Sequence, residues 1–260
     1  MTQSSIEATK NMLKDLRLYH IAEALNDFYE KAREKSLSYE KFLEEILLVE
    51  IKQREIRKLE KRLKQAFFPE YKTLDDFNLS EQQSLTKRQL NQLKELTWLL
   101  QGYNIIFLGP PGVGKSHLSV GIGIEVINSG YKARFISMAD LIHLLKTQEI
   151  SSVSRNKIKR IIESDLLIID DLMFMAMEKQ EANLFFQLIN KLYGQTSIII
   201  TSNKGPEEWG ELLGDAAITT AILDRILHKC EIINFFNDDS YRLKHRQSIF
   251  NDNSSKGKSP

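Results

Sequence analysis

Residues 109–116 read GPPGVGKS, a spacing suited to holding the phosphates of a nucleotide. Gly109, Gly112 and Gly114 let the backbone come close to phosphate oxygens, with Pro110, Pro111 and Val113 between them. Successive N–H groups running into a helix form an anion cradle. Lys115 would set a cation on the β- and γ-phosphates, and the Ser116 hydroxyl would ligate Mg²⁺. His117 adjoins the nucleotide but is expected to pack within the following helix. A phosphate loop also needs an acidic strand end. Leu166-Leu167-Ile168-Ile169-Asp170-Asp171 supplies one, because carboxylates after a buried run are costly unless they face a charged ligand. Asp170 would hold Mg²⁺. Asp171 would orient or deprotonate the attacking water, or else cap the next segment.

Two later residues extend this chemistry. Asn203 follows the run Ser197-Ile198-Ile199-Ile200-Thr201-Ser202 and could reach the γ-phosphate and its water, with Thr201 or Ser202 sharing the task; the alternative is a turn asparagine. Arg225 sits on the apolar stretch Ala221–Leu227. It reads either as a surface ion pair with Asp224 or Glu231, or as an arginine finger acting on the ATP of an adjacent subunit.

The elements that must position these residues follow from the pattern. Glycine is absent before Gly102 and the first proline is Pro69, so a Leu-, Lys- and Glu-rich opening reads as helix. Met12, Leu13, Leu16, Ile21, Ala22, Leu25 and Phe28 recur at helical spacing, and Phe42 to Leu63 does so again, with Ser38 as N-cap after a turn. The expected organisation is a helical module over 1–67, a linker over 68–85, an α/β domain over 86–250 and a disordered tail over 251–260. In the α/β part the runs NIIFL, KARFIS, LLIID, SIIIT and CEIIN alternate with helices expected at Lys115–Asn128, Met138–Thr147, Asn156–Ser164, Glu178–Tyr193 and Ala217–His228. Continuous apolar strands separated by helices mean a parallel sheet covered on both faces.

Composition excludes some classes and leaves others open. The net charge of +1 does not announce nucleic acid, but Lys52, Arg54, Arg57, Lys58, Lys61 and Arg62 crowd one helix, and Lys157, Lys159 and Arg160 form a second patch. Both could neutralise DNA phosphates or be solvated helix faces. No base-reading motif is visible, so little sequence preference is expected. Cys230 is the single cysteine, which excludes an internal disulfide framework, and the five histidines are dispersed. The opening residues lack a signal-peptide run and no stretch is long and apolar enough to span a membrane, so the expected location is the cytoplasm.

GPPGVGKS, LLIIDD, IITSN and LDRI, in this order and spacing, resemble an AAA+ P-loop ATPase. LKDLRLYHIAEALNDFYEKA, DFNLSEQQSLTKRQLNQL and NDDSYRLKHR narrow the resemblance to the transposition helper proteins of the IstB type, relatives of bacterial helicase loaders. It implies a five-stranded parallel sheet in the order 5-1-4-3-2, and ATP- and Mg²⁺-dependent homo-oligomer assembly on duplex DNA. In such assemblies one subunit's arginine completes the next subunit's site, and the assembly recruits or stimulates a transposase. Lys115, Ser116, Asp170, Asp171, Asn203 and Arg225 keep the roles given above. A loader, acting on a helicase and single-stranded DNA, is the alternative. A metabolic P-loop kinase fits poorly, since no acceptor site or arginine-bearing lid is visible. The second acidic position is usually Glu in the superfamily, and Asp171 implies slow or partner-dependent hydrolysis. The chain runs too short a way past Arg225 for a helical lid domain, leaving Arg242 as the candidate for an ATP-sensing arginine.

Overall fold

The computed structural model describes residues 3–172, 177–212 and 215–244. The expected tail, 251–260, lies outside them. The chain divides into two compact units, Met1–Arg62 and Leu63–Pro260.

The first unit is built on α1 (Gln3–Asp15), α2 (Tyr19–Glu34) and α3 (Tyr39–Ala66). The periodic run from Met12 to Phe28 is thus two helices, broken where Arg17 takes a left-handed φ of 59°. Ile21, Leu25 and Ile46 form the buried centre, with Leu13 and Phe28 against it. Tyr29 and Phe42 stack with ring centroids 5.8 Å apart. Leu18, the N-cap of α2, offers its helix no side-chain bond. Glu50, 4% exposed, does so from α3, accepting from His20 N at 3.0 Å and Ile21 N at 3.3 Å. Ser38 accepts from Lys41 N at 3.2 Å, the expected start of α3.

In the second unit, α4 (Lys87–Lys94) opens on a capping box between Thr86 and Gln89, and α5 (Thr97–Leu100) leads into the sheet. The strands are β1 (Asn104–Leu108), β2 (Ala133–Ser137), β3 (Leu166–Asp170), β4 (Ser197–Ser202) and β5 (Cys230–Asn234). They pair in parallel in the order β2-β3-β4-β1-β5, which is the expected order read from the other edge. Between them run α6 (Lys115–Asn128), α7 (Met138–Thr147), α8 (Ser152–Ile162), α9 (Lys179–Leu192), the single turn α10 (Trp209–Leu212) and α11 (Ala216–Leu227); α12 (Tyr241–Lys244) follows β5. Strands β1, β3 and β4 are buried almost throughout, as apolar runs covered on both faces must be. Helix α8 starts four residues before the expected Asn156, because Ser151 caps it by accepting from Ser154 N.

Residues 68–85, read from the sequence as a linker, are part of this unit's packing. Leu74, Phe77 and Leu85 are buried. A Cβ on Gly121 would meet Leu74 at 2.6 Å, and one on Gly123 would meet Phe68 at 2.7 Å. The two glycines of α6 let this segment lie directly on the helix.

Candidate functional site

The site forms where the carboxyl ends of β1, β3 and β4 meet the amino end of α6, the usual place for a ligand in a parallel sheet. After Leu108 the chain turns through Gly112 at φ 88° and Gly114 at φ 98°, values that L side chains rarely adopt. A Cβ at Gly112 would run into Ser240 Oγ, and one at Gly114 would meet the Phe77 ring at 2.8 Å. The glycines therefore serve close packing from outside the loop as well as its curvature. Lys115 Nζ donates to Gly109 O at 2.8 Å and Pro110 O at 3.0 Å. Burial pushes the pKa of this ammonium down, while Asp171 and then Asp170 pull it back up and Arg242 adds to the lowering.

Three hydroxyl and carboxyl groups converge beside it. Asp170 Oδ1 accepts from Ser116 Oγ at 2.9 Å and from Thr201 Oγ1 at 2.6 Å. Thr201 also accepts from Asp171 N at 2.9 Å, and its carbonyl accepts from Leu172 N. The middle strand thus pins the turn that carries both carboxylates. Asp171 stands in this turn at φ 54°, a left-handed conformation held by those bonds. Its carboxyl ionises above the usual range, through loss of surrounding water and the neighbouring Asp170 charge; Lys115 and Arg242 act the other way. The donor set, one serine hydroxyl and aspartate oxygens beside a glycine cradle, suits a hard divalent cation on phosphates.

The remaining expected residues divide. Asn203 lies exposed just past β4, at the rim, with no hydrogen-bond partner among the described residues. Ser202 is turned away, its hydroxyl bonded to Lys204 O and N. His117 packs as expected, bonded to Thr73 O at 2.8 Å and edge-on to Phe77. Arg225 makes neither expected ion pair. Its Nε donates to Asn190 at 3.1 Å, Nη1 to Ala221 O at 2.8 Å, and its guanidinium lies 4.9 Å from the centre of the Phe186 ring. It borders a cavity of about 380 Å³ at the amino ends of the strands, with His228 and Lys229 also in the wall.

Arg242, the candidate ATP-sensing arginine, lies beside the phosphate loop, its Cβ 3.6 Å from where a Cβ on Gly112 would stand. Tyr241 N donates to Gly112 O at 3.0 Å, Arg242 follows directly, and its charge acts on Lys115, Asp171 and Glu70. That residues 235–242 strap the phosphate loop was not legible in the residues. Phe235 N donates to Leu108 O at 2.7 Å, and Asp238 Oδ1 accepts from Gln83 N at 2.7 Å. Burial and then Glu231 push the Cys230 thiol up to about 12.

The family model for the IstB-like ATP binding protein matches residues 11–249. The chain belongs to this IstB-like ATP-binding family. A relative in Bacteroides fragilis, an ATP-binding protein of an IS21-like insertion sequence, is 38% identical over 237 residues, covering 91% of this chain and 90% of its own. Another, of insertion sequence IS21 in Pseudomonas aeruginosa, is 36% identical over 236 residues, covering 91% and 89%. Among solved structures, AMPPCP-bound DnaA from Aquifex aeolicus matches with a TM-score of 0.54 at 24% identity, over 68% of this chain and 54% of that one. DnaI matches with a TM-score of 0.53 at 18% identity, over 63% and 90%. These two show the fold: the five-stranded parallel sheet with its phosphate loop, here preceded by helices. Among the described residues, no helix is long and apolar enough to cross a membrane.

Proposed function

We propose that this IstB-like protein is a Mg²⁺-dependent ATPase that assembles on duplex DNA in transposition and recruits or stimulates a transposase. The observation that supports it best is Asp170, buttressed by Ser116 and Thr201 beside the glycine cradle. Bound Mg²⁺ would neutralise charge on the β- and γ-phosphates, with Ser116 and Asp170 as its protein ligands. Lys115 would leave the Gly109 and Pro110 carbonyls for phosphate oxygens. Asp171 and Asn203 would hold the attacking water, and Arg242 would face the phosphates from the strap. Arg225, on α11 at the far end of the strands, serves the site of a neighbouring copy.

For DNA, Lys52, Arg57, Lys58 and Lys61 are exposed along α3 and Arg62 is half-buried. Arg54 has a structural task, donating to Glu50 at 2.9 Å and to Arg17 O at 2.8 Å. In the second patch Arg160 is exposed, Lys157 lies over the Phe67 ring and Lys159 is 3.8 Å from Glu163. The insertion-sequence relatives support the transposition reading.

The test is assembly measured by sedimentation, with ATP or a non-hydrolysable analogue, on duplex and single-stranded DNA. Nucleotide-dependent oligomers on duplex are expected. A single-strand preference would mark a helicase loader instead, and a strict monomer under every condition would sink the proposal.

A further inference from the structure

Helix α3 has an apolar face that the helical unit leaves uncovered. Phe42 and Ile46 pack on the buried centre of that unit, and Glu50 follows them one turn on. Beside this row Leu43, Leu47 and Ile51 repeat every four residues and stand 56%, 42% and 52% exposed. Leu48 widens the stripe at 54%. Side chains at this spacing lie one above another on a helix. Four large aliphatic groups in one solvent-facing row are a patch and not scattered exposure, and such a patch marks a contact.

Charge says what covers it. The half of α3 up to Glu50 has four glutamates and one lysine; the half after it has seven basic residues and two glutamates. Glu44, Glu45 and Glu50 are bridged to Lys41, Lys31 and Arg54. Glu40 and Lys58 are exposed and make no ion pair among the described residues. They flank the stripe on its own face, because they stand a whole number of turns apart at about 3.6 residues per turn. A helix polarised in this way is complementary to itself when reversed. A second α3 laid antiparallel brings Leu47 against Ile51 of the other copy and, at the ends of the overlap, Glu40 against Lys58. A parallel pair would set like charges against like. We propose that the exposed stripe of α3 seats a second copy of this chain, joined antiparallel about a two-fold axis, in a dimer that needs neither nucleotide nor DNA. This contact is separate from the one made by Arg225. An isologous pair closes on itself, whereas an arginine reaching a neighbour's phosphates runs head to tail.

The test is sedimentation equilibrium on the full chain without nucleotide or DNA. A dimer is expected at about 10–100 μM protein. Leu47→Arg combined with Ile51→Arg is expected to give a monomer of wild-type helix content, since both side chains are exposed. Glu40→Lys and Lys58→Glu should each weaken the dimer about five- to tenfold, because the two-fold axis counts every pair twice. The chain carrying both Glu40→Lys and Lys58→Glu should regain wild-type affinity, a recovery that a misfolded protein could not show. A wild type that stays monomeric overturns the inference, whether the stripe then proves to bind a transposase or the chain's own second unit. So does a dimer indifferent to Leu47→Arg with Ile51→Arg, or a charge-swapped chain with no recovery. ATP-dependent assembly on DNA can fail without touching this dimer, and the dimer can fail without touching that assembly.

Discussion

The Thr201 hydroxyl donates to Asp170 across 2.6 Å while accepting from Asp171 N, so one fully buried side chain on β4 positions both acidic residues at the end of β3. Thr201→Val keeps the shape and removes the bridge. It leaves the Asp171 N–H without its acceptor and is expected to cost about 1–3 kcal/mol, read as roughly tenfold weaker Mg²⁺-ATP binding. Binding measured with Mg²⁺ and with chelator separates the effect on the cation from that on the nucleotide. Thr201→Ser should restore it; a Thr201→Val protein with normal Mg²⁺-ATP affinity would show that the bridge does not matter.

Asp171 gives a dependence on pH. Its folded pKa is raised above the ordinary value of about 3.9 by loss of water and by Asp170. Its contribution to stability is therefore fully present below the ordinary value and is lost as pH rises through the raised one. At neutral pH the ionised group destabilises the fold, so Asp171→Asn should raise the melting temperature at pH 7. The gain should fade as pH falls through the carboxylate range. Hydrolysis in the same variant should fall by about 10²–10⁴. A melting temperature unmoved at pH 7 would mean that the charge is fully compensated.

Asn190, the Ala221 carbonyl and the Phe186 ring hold the Arg225 guanidinium ready on the surface of α11. Arg225→Ala should leave ATP affinity intact and lower hydrolysis by about 10³ or more. Mixing it with Lys115→Ala subunits, which keep the arginine but lack the phosphate lysine, should recover part of the activity. Loss of ATP binding, or no recovery on mixing, would rule out action on a neighbour.

The helical unit depends on Glu50. Burial works to raise its pKa, but Arg54, Ile21 N and His20 N outweigh it and hold the carboxyl below the usual range. The lowered pKa makes this stability present above the ordinary carboxylate value and lost as pH falls through the folded one. Glu50→Ala leaves the first amides of α2 without an acceptor and should cost about 3 kcal/mol. Faster hydrogen exchange at Ile21 and Leu25, with Ile199 in β4 unaffected, is the readout. Equal exchange at all three would refute the role.

What could be read in the residues had local causes. Strands β1, β3 and β4 are unbroken apolar runs, and α6 and α7 begin and end where their flanking residues require. The phosphate loop and Asp170 are legible because their chemistry is written in consecutive residues. The break at Arg17 was hidden, since no glycine or proline marks that left-handed residue. Thr201 was only half visible, as one of three polar residues at a strand end. Gln83 and Asp238 gave no local signal at all, because their meaning lies in a contact across 155 residues.

That long-range contact bears on how the protein is made. The bond from Gln83 to Asp238 closes over a loop whose own sequence lies between them. During synthesis the phosphate loop leaves the ribosome well before the strap does, and non-local pairing is slow to form. The nucleotide site is therefore finished last, when residues 235–242 have emerged. A half-made chain carries the signature of an ATP-binding protein before it has a complete place to hold one.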